Sequence, residues 1–163
     1  MFRGFERILV GRGAMDGLVI TPRVCGICGV VRHGGTPLST DISEPLLVRM
    51  RDTLVHRGPD DAGVWISADR SAGLAHRRLS IVDLSPAGHQ PMFSASGRYV
   101  IAFNGEIYNH QWLRKEIEQI FPQIREGQSL WRGHSDTEAL LAGIEIWGLQ
   151  ATLEKSIGMF AIA

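Results

Sequence analysis

The chain has 163 residues, a length that fits one domain, and its 44% hydrophobic and 21% charged residues are typical of a globular protein with a core. Its formal net charge is zero, which argues against binding to nucleic acid or to an anionic membrane surface. No apolar run approaches the roughly 20 residues that a membrane helix needs. Residues 1–24 lack the continuous apolar segment of a signal peptide, so we expect a cytoplasmic protein.

The first half of the chain predicts strands around one helix. Residues 25–32 are small and apolar, as in a buried strand. Ser43 can cap a helix that should end before Gly58. Residues 64–66 and 73–76 then predict two strands joined by a polar turn.

The second half predicts two more strands and two helices. The apolar run Tyr99–Phe103 suits one strand buried on both faces, and residues 158–162 predict another. Asn109 can cap one helix, and Ser135 or Asp136 can open a second. Buried strands with helices between strand pairs favour a layered α/β sandwich.

Cys25 and Cys28 form a C-x-x-C pair, which taken alone suggests a redox or zinc site. Zinc would need two further ligands at a matching spacing, and the sequence has no second cysteine pair. On a strand, three steps of about 3.3 Å separate the two Cα atoms by roughly 10 Å, beyond the about 7 Å that a disulfide tolerates. Cys28 is therefore interpreted as a small core residue, and Cys25 by itself as a buried, inert cysteine.

Four further segments change the interpretation of Cys25. In chain order they are His56–Asp60, Leu74–Asp83, Asn104–Asn109 and Gly133–Glu138. With these segments, residues 25–163 resemble the class II glutamine amidotransferase domain, most closely the N-terminal half of glutamine-hydrolysing asparagine synthetases. The resemblance implies an α+β fold, a four-layer αββα sandwich of the N-terminal-nucleophile hydrolase type, which is C-terminally incomplete in this chain.

The resemblance implies that Cys25 attacks the side-chain amide of glutamine, forms a thioester and releases ammonia. Its own α-amine would be the base. An α-amine titrates at about 7.7–8.0 and a thiol near about 8.5, so a proton can pass between them at small cost. Asn104, through its side-chain amide, and Gly105, through its backbone N–H, would hold the oxyanion. Glycine at this position lets the backbone approach closely.

The resemblance also implies a set of substrate-binding residues. Arg78 would pair with the α-carboxylate of glutamine, because a guanidinium binds carboxylates in a bidentate way. Glu106 and Asp136 would hold the α-ammonium, and the backbone of Ile81 and Val82 would line the same pocket. We expect no metal site, and no cofactor for the hydrolysis of glutamine.

Several of these residues have a plainer interpretation. Arg78 could be a surface arginine, as we expect for Arg77. Asp136 could cap its helix, alone or in addition to binding substrate. Asn104-Gly105 could be a simple turn.

Three histidines, an arginine and an aspartate near the motifs are interpreted as structural. His56, His76 and His134 show no metal-type spacing, and the family mechanism needs no histidine. Arg57 and Asp60 are expected to brace a loop near the pocket.

The family's nucleophile is residue 1 of the active protein, whereas Val24 acylates the nitrogen of Cys25 in this sequence. We expect residues 1–24 to be an N-terminal extension and residues 25–163 to be the glutaminase domain. The extension could be a cleaved propeptide, a misassigned start, or a retained segment that leaves the protein inactive. A start misassigned upstream of Val24 is favoured, because valine codons can serve as bacterial initiators.

The resemblance also predicts further strands after Ala163 and then a synthetase domain, where ATP and Mg²⁺ would activate aspartate to accept the ammonia. The expected function is hydrolysis of glutamine to glutamate and ammonia, as the glutaminase half of an asparagine synthase whose parent protein could be a homodimer. The alternative is a catalytically inactive scaffold that binds only glutamine or a partner chain.

Overall fold

The computed structural model describes residues 24–32, 42–81, 83–120 and 130–163. These ranges contain both helices and antiparallel strands, a mixed α and β architecture. In chain order the elements are β1 (Gly26–Val31), α1 (Glu44–Asp52), β2 (Asp61–Ile66), β3 (Ala72–Arg78), a 3₁₀ turn (Pro86–Gly88), β4 (Met92–Phe93), β5 (Val100–Ile101), β6 (Phe103–Ile107), α2 (His110–Ile120), α3 (Asp136–Trp147), α4 (Leu149–Lys155) and β7 (Gly158–Ile162).

The first sheet is antiparallel, with strand order β1-β3-β2, and α1 packs on it. The sequence predicted these strands and this helix, and they are confirmed. Ser43 is the N-cap residue of α1, but its side chain makes no capping hydrogen bond, so that part of the prediction is wrong. Ile42, Leu47 and Ala75 form the buried core between helix and sheet. A Cβ atom on Gly73 would meet the side chains of Leu47 and Ile42, so glycine lets the helix lie close to the sheet. Cys28 packs against this core, as predicted.

The predicted single strand over Tyr99–Phe103 is wrong, because the chain changes pairing partner inside it. Ile101 pairs with Met92 of β4, whereas Phe103 pairs with Ile162 of β7. Ala102 lies between the two ladders and is fully buried. A run of apolar residues predicts burial on both faces but carries no information about which neighbour each half will pair with.

A second core joins β4, β5 and β6 to helices α2 and α3. Of the two residues predicted to open α3, Ser135 caps the helix, since its Oγ accepts the N–H of Glu138 at 3.1 Å. The side chain of Asn109 does not cap α2; it accepts the N–H of Ile157 and donates to the carbonyl of Lys155, both at 2.8 Å. The buried apolar members of this core are Met92, Ile101, Phe103, Ile107, Leu113, Leu140, Leu141 and Ile144.

The two cores place β1 and β6 next to each other. α1 lies on the first sheet, β1 contacts β6, and α3 packs against β6 while α2 and α4 pack against α3. The start of β1 and the edge of β6 therefore face a common space. Among the described residues, no helix combines the length and the apolarity that crossing a membrane requires.

Candidate active site

A small cleft that is partly open to solvent lies where β1, β3, β6 and α3 converge. It brings together five of the residues predicted from the sequence: Cys25, Arg78, Ile81, Gly105 and Asp136. The other residues of its lining are Leu79, Asp83, Gly88, Gln90, Phe103, Ser135 and Thr137.

Three predicted site residues are not part of this lining. Asn104 is half-buried and Glu106 is exposed; both are on β6, on either side of Gly105. Val82 lies outside the described residues. The roles predicted for these three residues therefore stay predictions.

The thiol of Cys25 is held against the residue that follows Arg78. Its Sγ accepts the backbone N–H of Leu79 at 3.3 Å and lies 3.7 Å from the carbonyl oxygen of the same residue. Both thiols of the chain are free, and Cys25 and Cys28 have different surroundings, the cleft and the first core. The pair is thus neither a disulfide nor a zinc-like cluster of ligands.

Burial raises the pKa of the Cys25 thiol, although the Leu79 N–H and the positive charge of Arg78 lower it in part. The carboxylate of Asp136 adds to the increase. A thiol in this environment stays protonated near neutral pH. Nucleophilic chemistry at Cys25 consequently needs a base close by.

Arg57 and Asp60 hold the segments on which the thiol depends. The Nε of Arg57 donates to the carbonyl oxygen of Cys25 at 3.2 Å. Asp60 is bonded twice to the end of β3, through its N–H to the carbonyl of Arg78 at 3.0 Å and through its carboxylate to the N–H of Ser80 at 2.8 Å. These contacts fix the backbone of Leu79 beneath the thiol.

Arg78 is buried, with 7% of its surface exposed, so the plainer interpretation as a surface arginine is wrong. Its guanidinium donates to the carbonyl oxygens of Asp83 and Ser85, the latter at 3.0 Å, and lies where a Cβ atom on Gly88 would be. Five N–H donors in one plane leave some free for a carboxylate in the cleft. Arg77 instead forms an ion pair with Asp52 at 2.8 Å.

Asp83 is a buried aspartate that lines the cleft next to Arg78. Burial by itself would raise the pKa of Asp83, but hydrogen bonds from Ser85 and from the N–H of His134 outweigh it and lower the pKa to about 2. The carboxylate is therefore negative at any physiological pH. It balances the guanidinium of Arg78 and ties the loop before α3 to the loop after β3.

Asp136 joins α3 to β6. Its carboxylate accepts the N–H of Ile107 at 2.9 Å and the N–H of Thr137 at 2.8 Å. Only 5% of the residue is exposed, and that part faces the cleft. Because Ser135 already caps the helix, the contribution of Asp136 is to fix the end of the strand that carries Gly105.

The hydrogen-bond pattern of β6 turns the Gly105 N–H towards the cleft. Ala102 exchanges both backbone hydrogen bonds with Ala163 on the β7 side. Because the pattern of an antiparallel ladder alternates, the backbone groups of residues 103, 105 and 107 point away from β7. The N–H groups of Phe103 and Ile107 are bonded there by Gln90 and Asp136, and Gly105 lies between them.

Gly105 also allows β7 to approach. Its φ is +153°, and a Cβ atom would meet the carbonyl oxygen of Met159 and the Cα of Phe160. A side chain at this position would therefore displace β7 or β6. Asn104-Gly105 is consequently part of a strand, and the interpretation as a simple turn is wrong.

Gln90 and His76 hold Phe103, the residue before Asn104. The Oε1 of Gln90 accepts the N–H of Phe103 at 2.6 Å, and the Nε2 of His76 donates to its carbonyl oxygen at 2.9 Å. Burial lowers the pKa of His76 to about 4, so its ring is neutral at physiological pH. Sequence reasoning treated His76 as structural and missed Gln90, because a lone glutamine before a proline shows no pattern that indicates burial.

No group of three potential metal ligands is found among the described residues. The cleft contains one thiol, one guanidinium, two carboxylates and a row of backbone groups. This set suits the binding of an amino acid and attack on an acyl carbon.

The chain belongs to the family of the glutamine amidotransferase domain, whose sequence model matches residues 24–163. It is similar to asparagine synthetase B [glutamine-hydrolyzing] of Escherichia coli, with 44% identity over 66% of this chain and 17% of the relative. It is 38% identical to asparagine synthetase [glutamine-hydrolyzing] 1 of Bacillus subtilis, over 85% of this chain and 20% of the relative. Amidase chry2 of Gibberella zeae shares 32% identity over 77% of this chain and 18% of the relative.

The chain thus spans about a fifth of the length of the curated relatives it matches. The residues matched by the family model include all those that line the cleft.

Proposed function

We propose that this domain hydrolyses glutamine to glutamate and ammonia through a thioester on Cys25. The observation that carries the proposal is that Cys25 and Gly105 line the same cleft, and that the ladder pattern of β6 turns the Gly105 N–H away from β7. Arg78 and Asp136 lie in the same cleft and offer one positive and one negative group to the two charges of an amino acid.

The proposed reaction begins with attack of the Cys25 sulfur on the amide carbon of glutamine. The α-amine of Cys25, when it is free, takes the thiol proton. The amide oxygen of glutamine becomes an oxyanion, which the Gly105 N–H and the Asn104 side-chain amide bind. The C–N bond then breaks, the nitrogen leaves as ammonia with the proton from the amine, and a thioester remains. Water attacks the thioester and releases glutamate and the thiol.

The substrate would be oriented by its two charged ends. Arg78 binds the α-carboxylate, and Asp136 with Glu106 binds the α-ammonium. By the family resemblance, the backbone of Ile81 and Val82 would line the same pocket. Support for Arg78 and Asp136 comes from their burial in the cleft, whereas Asn104, Glu106 and Val82 enter by family resemblance.

We also propose the finer architecture and the larger assembly. The packing order runs from α1 to the first sheet, then to the β6–β7 sheet and then to α3. This order fits the four layers of an αββα sandwich of the N-terminal-nucleophile type. Residues 25–163 would be the glutaminase domain of an asparagine synthase, and residues 1–24 an N-terminal extension that is either a propeptide or a misassigned start. A synthetase domain that uses ATP, Mg²⁺ and aspartate would receive the ammonia.

The test compares one preparation before and after Cys25 is freed. A protease recognition sequence replaces the residues directly before Cys25, and the full chain is folded first and cut afterwards. We expect glutamate to be released from glutamine after cutting and not before, because an acylated nitrogen is no base. Cys25→Ser should abolish this release and Cys28→Ser should preserve it. Folded, cut protein that releases no glutamate would contradict the proposal.

A further inference from the structure

Two buried side chains outside the proposed chemistry contact the backbone that carries the proposed oxyanion site. Gln90 is 5% exposed and His76 is 1% exposed. Together they bond both the N–H and the carbonyl oxygen of Phe103, at 2.6 and 2.9 Å. The two peptide groups that flank Phe103, the second of which leads into Asn104, are therefore each held by one buried side chain.

Gln90 and His76 form a clamp on Phe103 at the start of β6, and this clamp is linked to the end of β6 at Ile107. The Nε2 of Gln90 donates to the Oγ1 of Thr137 at 3.3 Å. The N–H of Thr137 is bonded by Asp136, whose second oxygen binds the N–H of Ile107. One buried chain of hydrogen bonds thus connects the two ends of β6 along its open edge.

We propose that Gln90 and His76 are positioning residues that set the place of the Asn104–Gly105 backbone opposite the Cys25 thiol. This inference rests on the proposed function. The open edge of β6 has a bonded N–H on either side of Gly105, so the Gly105 N–H has a fixed direction, and no described residue bonds it on that edge. A donor that is already in place does not need to reorganise when the oxyanion forms.

The position of this donor matters for rate more than for binding. A displacement of about 1 Å in a reacting geometry can cost on the order of a hundredfold in rate. The charged ends of glutamine, in contrast, would be bound by Arg78 and Asp136, whereas the side-chain hydrogen bonds of Gln90 to described residues run to Phe103 and Thr137. Loss of the clamp should therefore lower kcat and leave KM nearly unchanged.

The experiment compares Gln90→Ala with Gln150→Ala in the cut protein. Gln150 is an exposed glutamine on α4 that bonds Glu154. For Gln90→Ala we expect a fall in kcat of roughly 10- to 100-fold with KM within about threefold, and faster hydrogen exchange of the amides in residues 103–107. Alkylation of Cys25 by iodoacetamide, which needs no oxyanion site, should keep its rate. Gln150→Ala should match the parent protein in all four measurements.

Two conservative variants separate positioning from folding. Gln90→Glu keeps an oxygen that can accept the Phe103 N–H and should recover most of the kcat. Thr137→Val keeps the shape of the side chain but removes the hydroxyl, and should lower kcat about fivefold. If Gln90→Ala does not fold, the kcat of Gln90→Glu or of Thr137→Val tests whether the clamp positions the oxyanion site. A His76→Gln variant, which can still donate to the Phe103 carbonyl, should retain more activity than His76→Ala.

The outcomes are distinct. Unchanged kcat and unchanged exchange in Gln90→Ala would overturn the inference, as would a loss of kcat that equals the loss of iodoacetamide reactivity. If the parent protein releases no glutamate, the proposed function fails, and the exchange measurement alone decides on the clamp. Faster exchange at residues 103–107 then supports it, and unchanged exchange refutes it.

Discussion

The sulfur of Cys25 lies 3.3 Å from the backbone nitrogen of Leu79, the residue directly after Arg78. The nucleophile and the guanidinium proposed to bind the substrate carboxylate are therefore positioned by one short segment at the end of β3. Asp60 bonds this segment on both sides of Leu79, at Arg78 and at Ser80. A change in this segment should thus affect reactivity and substrate binding together.

Arg78→Lys should weaken binding of glutamine while the protein stays folded. A lysine ammonium cannot bond the carbonyls of Asp83 and Ser85 and also present a planar fork to a carboxylate. We expect KM to rise on the order of tenfold, which corresponds to about 1.4 kcal/mol. Steady-state kinetics on the cut protein measure this, with Arg77→Lys as the control. Equal KM values for the Arg78→Lys variant and the parent protein would remove Arg78 from the binding site.

Gly105→Ala should lower both stability and kcat. The residue has a φ of +153°, and the added Cβ would meet the backbone of Met159 and Phe160. We expect the free energy of unfolding to fall by about 2 kcal/mol. Gly97→Ala is the matched control, because Gly97 also has a positive φ, of +74°, but open space around it. Denaturant unfolding should show a lower free energy of unfolding in both variants, whereas kcat should fall only in Gly105→Ala.

Acid should destabilise the fold in part through His76. The pKa of this ring is about 4 in the folded state, because burial disfavours its charged form, against about 6.5 in the unfolded chain. Its contribution to stability is complete above about pH 6.5 and is lost as the pH falls towards 4, by up to about 3 kcal/mol.

Unfolding measured between pH 7 and pH 4 tests this. The His76→Gln variant should lose less stability over that interval than the parent protein does. His56→Gln, at an exposed position, should follow the parent curve. Identical pH dependence in all three proteins would show that His76 does not titrate in this way.

The thiol of Cys25 should react more slowly than an ordinary cysteine at neutral pH. Burial raises its pKa, and the thiolate is the reactive form. In the uncut Cys28→Ser variant, the rate of iodoacetamide alkylation plotted against pH should have its midpoint above that of the same variant in denaturant. A midpoint below the denatured value would mean that Arg78 and the Leu79 N–H outweigh the effect of burial.

The sequence predicted most elements because local patterns are strong there. Alternating or continuous apolar residues marked β1, β2, β3 and β7, and Ser135 marked the start of α3. The division between β5 and β6 at Ala102 could not be predicted, because it depends on pairing with distant strands. The bonds of Asn109 to the segment before β7 depend equally on tertiary contacts.

The candidate site also has one part that the sequence predicted and one part that it did not. Cys25, Arg78, Gly105 and Asp136 belong to motifs with a chemical meaning, and the structure brings them into one cleft. Gln90 could not be found in this way, because its importance lies in the backbone of Phe103 that it bonds. Hydrogen bonds from a side chain to a distant backbone group leave no periodic signal in the sequence.

Covalent labelling of Cys25 by a glutamine-like diazoketone tests the central claim most directly. The cut protein is incubated with the reagent, and peptide masses locate the adduct. We expect one adduct on Cys25 and none on Cys28, and glutamine should slow the labelling. Labelling that glutamine does not slow, or an absence of label at Cys25 in folded protein, would contradict a glutamine-binding cleft with Cys25 as its nucleophile.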